Sequence, residues 1–119
     1  MLFRSAVLIN RGSASASEMC ASALRDAANA ILVGQNSAGA VLASVFGRLP
    51  HGFEIQYPVS DYVTAKGVRL EGNPLKPDIE VERSAPAATA IEKAIEKLKA
   101  SGDKANPMGN HGSPIGAAA

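Results

Sequence analysis

The chain has no tryptophan and a single cysteine, Cys20. One cysteine excludes an internal disulfide and any metal site built from a cysteine cluster. Aromatic residues are 4% of the 119, so Val, Ile, Leu and Ala must fill the core. No basic run is present and the formal net charge is +1. Binding phosphates needs clustered Lys and Arg, so nucleic acid is not an expected partner. No apolar run reaches the roughly 18 residues that cross a bilayer, so no membrane span is expected. The N-terminus has one arginine and then a strand-like segment, and does not read as a signal peptide. Nothing in the pattern asks for a cofactor.

What is present suits one small α/β domain. The hydrophobic fraction of 46% fits a packed core. Ala6-Val7-Leu8-Ile9 is continuously apolar, as in a strand buried on both faces of a parallel sheet. From Ser15 the period lengthens. Cys20, Ala23, Leu24 and Ala27 form one apolar stripe, which predicts a helix with that stripe inward and Cys20 as a small buried hydrophobe. Asn29 stops it, and Ala30-Ile31-Leu32-Val33 reads as a second buried strand. Strand, helix and strand in about 30 residues make a βαβ unit.

Beyond it the pattern turns to extended segments at 41–49 and 53–59 around Pro50-His51-Gly52, and to 62–64 and 68–70 around Lys66-Gly67. A short strand is expected at 79–81. Pro86 then suits the first turn of an amphipathic helix over 85–101, with Ala87, Ile91, Ala94, Ile95 and Leu98 on one face. Residues 102–119 hold four glycines and two prolines and are expected to form a disordered tail.

The informative stretch is "NRGSASASEM", residues 10–19. A serine where a strand turns into a helix has two uses. Ser15-Ala16-Ser17-Glu18 fits a capping box, with Ser15 as N-cap and Glu18 at the third helical position. Removing such a cap hydroxyl costs about 1 kcal/mol. The same turn also suits a nucleophile, because a helix N-terminus offers unpaired N–H groups to an oxyanion. The pattern alone leaves both open.

"VLINRGSASASEMCASALRDAANAILVGQNSAGA" resembles the core of the C-terminal processing (tail-specific) serine peptidases, where a "G-S-A-S-A-S-E" turn precedes a helix, a strand ending "V-G" and a "T-F-G-K-G"-like segment. The likeness runs through "LPHGFEIQYPVSDYVTAKGVRLEGNPLKPDIEV" and covers about residues 6–82. It implies a crotonase-like or Clp-protease-like α/β fold, with residues 1–84 as the C-terminal portion of a catalytic domain. By this resemblance Ser15 is the nucleophile, the Ala16 N–H is one oxyanion donor, and Ser13 and Ser17 are turn residues. Asp78 matches a Pro-Asp acid expected to anchor a loop.

The resemblance also has gaps. The family's base is the lysine of "T-F-G-K", and Ala40 stands there. Lys66 and Lys76 read as solvated, since a catalytic lysine needs burial to lower its pKa. His51 lies in a turn and His111 in the tail. Tricorn-type relatives lack that lysine and use a Ser-His-Ser-Glu tetrad. Their glutamate segment matches "EGNPLKPD", which puts Glu71 in the role of orienting a base. The Gly-rich loop with the second oxyanion donor, and the histidine, belong to an N-terminal half of the catalytic domain that is not in this sequence.

The resemblance therefore implies a serine peptidase acting on peptide or protein substrates, inactive or nearly so as an isolated chain. It would require that N-terminal half as a partner, and its exposed apolar surface would favour self-association. Family likeness suggests a periplasmic or otherwise extracytoplasmic location. The competing reading is a ligand- or peptide-binding module on the same fold, as in the retinoid-binding repeats that resemble this family, or an inactive fragment.

Overall fold

The computed structural model describes residues 5–103. Strand β1 (Ala6–Ile9) leads into helix α1 (Ala16–Ala28) and returns as β2 (Ile31–Gly34). β1 and β2 are parallel, registered from Ala6 opposite Ile31 to Ile9 opposite Gly34. This is the expected βαβ unit. β3 (Ala43–Arg48) and β4 (Glu54–Ser60) form a separate antiparallel hairpin around a 3-10 turn at Pro50–Gly52. The short β5 (Ile79–Glu80) adds to β2 in parallel, giving the sheet order β1-β2-β5. Helix α2 (Ala87–Asp103) follows and packs on β1 and β2.

β2 is central, and its unbroken apolar run has a direct cause. Successive side chains of a strand point to opposite faces. Leu32 enters a core with Ile9, Ala21, Val41, Leu70 and Leu75, while Val33 enters a second core with Val81 and Ala94. Both are fully buried, each worth about 1.5–3 kcal/mol. Asp78 fixes the far edge: its carboxylate accepts from the Leu32 N–H at 2.7 Å, and its own N–H donates to the Leu32 carbonyl at 2.8 Å. The anchoring role expected of Asp78 is what the fold uses.

Three expectations need correction. β1 is an edge strand, and Leu8 is 47% exposed rather than buried on both faces. Helix α1 is rotated from the expected stripe. Glu18, Ala21 and Ser22 face inward, while Cys20, Ala23 and Leu24 are exposed. The inward polar groups have internal partners, which removes the penalty for burying them. Ser22 donates to the Met19 carbonyl at 2.9 Å and lies 3.4 Å from the Tyr62 hydroxyl. A stripe drawn from hydrophobicity cannot register such partners.

The third correction concerns α2. It runs to Asp103 rather than 101, and only Ala94 of its expected face is buried, with Ile91 and Ile95 nearly half exposed. The rest of the expected tail, from 104, lies outside the described residues. The turn around Lys66-Gly67 forms as expected, closed by the Val63–Arg69 antiparallel bridge.

The β3–β4 hairpin exposes apolar side chains on both faces. Val45 lies opposite Tyr57 and Gly47 opposite Ile55. By strand alternation Val45, Ile55, Tyr57 and Val59 share one face, each 41–57% exposed. The other face carries the exposed Phe46 beside Ser44 and Gln56, the last two joined by a 2.6 Å hydrogen bond.

Candidate active site

The site is the turn between β1 and α1. Asn10 and Ser13 close it reciprocally. The Ser13 N–H donates to the Asn10 carbonyl at 2.9 Å, and the Ser13 hydroxyl accepts from the Asn10 N–H at 3.1 Å. The Asn10 side chain accepts from the Gly12 N–H at 2.8 Å. Ser13 is thus occupied in building the turn.

Ser15 is different. It is the N-cap of α1, yet its φ is 55° and ψ −123°, and its hydroxyl makes no capping hydrogen bond. The side chain is exposed. This backbone geometry is unfavourable for any residue with a Cβ, by about 1–3 kcal/mol. A sharp, strained strand-to-helix turn that presents a serine hydroxyl is the arrangement of a nucleophile elbow. Ala16 follows as the first residue of the helix, where N–H groups have no intrahelical acceptor.

The capping box does not form. Glu18 is fully buried and turns its carboxylate toward the segment 37–40. One oxygen accepts from the Ser37 hydroxyl and from the Gly39 N–H at 2.8 Å. The other accepts from the Ala40 N–H at 3.0 Å. Ser37 also accepts from the Leu75 N–H at 2.7 Å. Burial alone pushes the Glu18 carboxyl up. Hydrogen bonds from Ser37, Ala40 and Gly39, with a smaller share from the Ser15 amide, outweigh it and hold the group below its ordinary value of 4.5.

The backbone completes the junction. The Ser15 N–H donates to the Ala40 carbonyl, and the Ala38 N–H donates to the Ser13 carbonyl, both at 2.8 Å. Glu71 extends the pattern by accepting from the Val41 N–H at 2.7 Å and the Leu42 N–H at 3.2 Å. Four successive amides, 39 to 42, are therefore held by two carboxylates from separate parts of the chain. Gly39 sits inside this clamp with φ 70°, and a Cβ there would lie 3.0 Å from the Pro74 ring.

The structure thus brings Ser15, Ala16 and the segment carrying Ala40 together. Glu71 holds the backbone of that same segment, and no base is hydrogen-bonded to the Ser15 hydroxyl among the described residues. His51 is in the hairpin turn. Lys66 is a surface group, its side chain 65% exposed and 3.3 Å from Asp26. His111 lies outside the described residues. The sequence reading missed Glu18 and Ser37 as site-building residues. The available signal was the inward i, i+3, i+4 set Glu18, Ala21 and Ser22, which is too polar to attract notice.

Comparison with known proteins agrees with the geometry. Peptidase family S41 matches residues 3–81. The chain belongs to that family. It is 33% identical over 91 residues to a chloroplastic carboxyl-terminal-processing peptidase 1 of Arabidopsis thaliana, covering 76% of this chain and 18% of that protein. It is 38% identical over 80 residues to a carboxy-terminal-processing protease of Bartonella bacilliformis, covering 67% and 18% respectively.

Among solved structures, the photosystem II D1 C-terminal processing protease superposes with a TM-score of 0.56 at 31% identity, over 71% of this chain and 22% of that one. Mature CPAF complexed with lactacystin matches at 0.61 and 22% identity, over 84% and 19%, a likeness of fold. The S41 chain described here spans about a fifth of the length of these relatives. The expected α/β, Clp-protease-like partial catalytic domain is what these likenesses show.

Proposed function

We propose that this chain supplies the nucleophile half of a serine peptidase site. Ser15 attacks the peptide carbonyl, and the Ala16 N–H at the start of α1 receives the developing oxyanion. The observation that carries this reading is the Ser15 conformation, φ 55° and ψ −123° with an uncapped, exposed hydroxyl. A residue held in strain whose hydroxyl makes no capping bond is a pointer to function.

The base and the second oxyanion donor would come from the remainder of a catalytic domain, the partner this half-site requires. Glu71 is a positioning residue that sets the segment beside Ser15 through the Val41 and Leu42 amides and orients the base that the remainder of the domain supplies. Substrates would be peptides or proteins, in keeping with the names of the relatives. An extracytoplasmic place of work rests on family likeness alone.

The test is peptide hydrolysis by the chain completed, in cis or in trans, with the N-terminal part of a related catalytic domain. Turnover that Ser15→Ala abolishes and Ser17→Ala retains supports the reading. Turnover that survives Ser15→Ala overturns it.

The second reading, a binding module, draws on one observation. Residue 40, whose carbonyl accepts from the Ser15 N–H and whose own N–H is held by Glu18, is alanine and brings no base.

A further inference from the structure

Helix α1 and the 61–71 hairpin meet along a polar seam away from the serine turn. Ser22, fully buried, lies 3.4 Å from the Tyr62 hydroxyl. One turn further along α1, the Asp26 Oδ1 stands 3.3 Å from the Lys66 Nζ. The Asp26 side chain is 1% exposed, so a carboxylate is held out of water at this seam. Its Oδ2 has no hydrogen-bond partner among the described residues. Arg25 also reaches Oδ1, at 3.1 Å, but it belongs to the same helix. Lys66 carries the ion pair across to a second element.

An ion pair that buries a carboxylate adds little net stability, because desolvation offsets the attraction. Its effect is to fix the two elements relative to each other. Here the second element leads to Glu71, and it is stiff on the way. The Thr64 N–H donates to the Val68 carbonyl and the Gly67 N–H to the Thr64 carbonyl, both at 2.9 Å. The Thr64 hydroxyl accepts from the Val68 N–H at 3.1 Å. Val63 and Arg69 bridge across the hairpin. Arg69 pairs with Asp61 and donates to the Glu71 carbonyl at 3.3 Å. Leu70, next to Glu71, is buried in the core. A displacement of the turn at Lys66 is therefore carried to Glu71, whose carboxylate holds the Val41 and Leu42 amides.

We propose that Asp26 is a positioning residue. Through Lys66 and the 61–71 hairpin it sets the Glu71 carboxylate against the Val41 and Leu42 amides. An effect on turnover rests on the peptidase reading of Glu71, whereas the placement of Glu71 does not.

The test is amide hydrogen exchange of the isotopically labelled chain, read residue by residue. Gly39 and Ala40, held by Glu18 rather than Glu71, are the internal control. Asp26→Asn keeps the shape of the side chain and removes its charge. In it the Val41 and Leu42 amides should exchange about tenfold faster, with Gly39 and Ala40 unchanged. Lys66→Met should do the same, and Lys66→Arg, which keeps the pair, should exchange as the parent does. A purely structural role would speed all four amides together, through a common opening of the fold. Equal acceleration of all four, or parent rates at Val41 and Leu42 in both Asp26→Asn and Lys66→Met, overturns the proposal.

The second measurement is peptide turnover by the chain completed with the N-terminal part of a related catalytic domain. Asp26→Asn should lower kcat about tenfold and leave KM unchanged, since it removes no group that touches substrate. Selective acceleration at Val41 and Leu42 with unchanged kcat upholds the placement of Glu71 and overturns its part in the peptidase reading.

Discussion

The Ser15 N–H donates to the Ala40 carbonyl at 2.8 Å. This bond ties the candidate nucleophile to the segment 37–40, which Glu18 also holds. Its alignment depends on Glu18, whose carboxylate holds the neighbouring Gly39 and Ala40 amides. The strained turn and the clamp are therefore one unit.

Glu18→Ala should destabilise the chain by about 3 kcal/mol, because it leaves two amides and the Ser37 hydroxyl without their acceptor in a buried place. Glu18→Gln keeps one acceptor and should lose roughly half as much. Urea unfolding followed by circular dichroism measures both. A loss below about 0.5 kcal/mol for Glu18→Ala, the range of ordinary surface changes, would contradict the clamp.

The same carboxylate predicts an acid limb. Its folded pKa lies below 4.5, so the folded state favours the ionised form. The stability it contributes is complete above the ordinary carboxylate pKa and is lost as pH falls through the lower folded value. Stability measured from pH 6 to pH 3 should fall more steeply in the parent chain than in Glu18→Gln. Parallel curves would argue against it.

Substitutions at Ser15 separate strain from capping. The hydroxyl makes no cap bond, so Ser15→Ala should change stability by less than about 0.5 kcal/mol rather than the ~1 kcal/mol of a lost N-cap. Ser15→Gly should stabilise by about 1 kcal/mol, since glycine adopts a positive φ without steric cost. Thermal unfolding of the three proteins decides it. A Ser15→Gly chain less stable than the parent would mean that the turn is not strained.

The hairpin face of Val45, Ile55, Tyr57 and Val59 leaves much apolar surface in water, and a two-stranded hairpin is marginal without cover. The chain should bind an apolar-surface dye and self-associate as its concentration rises. Val45→Lys with Tyr57→Lys should lower the dye signal and shift sedimentation toward monomer. Unchanged sedimentation and dye binding would place the sticky surface elsewhere.

The parts of the fold legible in the sequence were those written in local pattern. The β2 run, the αL stop at Asn29 (φ 53°) and the turns at His51 and Gly67 all follow from residue type. The rotation of α1 was not legible, because burial of Glu18 and Ser22 draws on partners 19 to 40 residues away in sequence, Ser37, Gly39 and Ala40 for Glu18 and Tyr62 for Ser22. Leu8 looked like core because a continuous apolar run does not distinguish a central strand from an edge. At the site, the serine turn was visible. The clamp was not, since a glutamate three residues after an N-cap serine reads locally as a capping box. Only the fold of segment 37–42 back onto α1 reassigns it.

The central claim is that Ser15 is the reactive serine of this turn. The most direct measurement is treatment of the chain, completed with the N-terminal part of a related catalytic domain, with a fluorophosphonate, followed by peptide mapping in a mass spectrometer. The account predicts a single adduct on Ser15, absent from Ser15→Ala and present in Ser13→Ala and Ser17→Ala. An adduct on Ser13 or Ser17, or a completed domain that hydrolyses peptide while Ser15 remains unmodified, would contradict it.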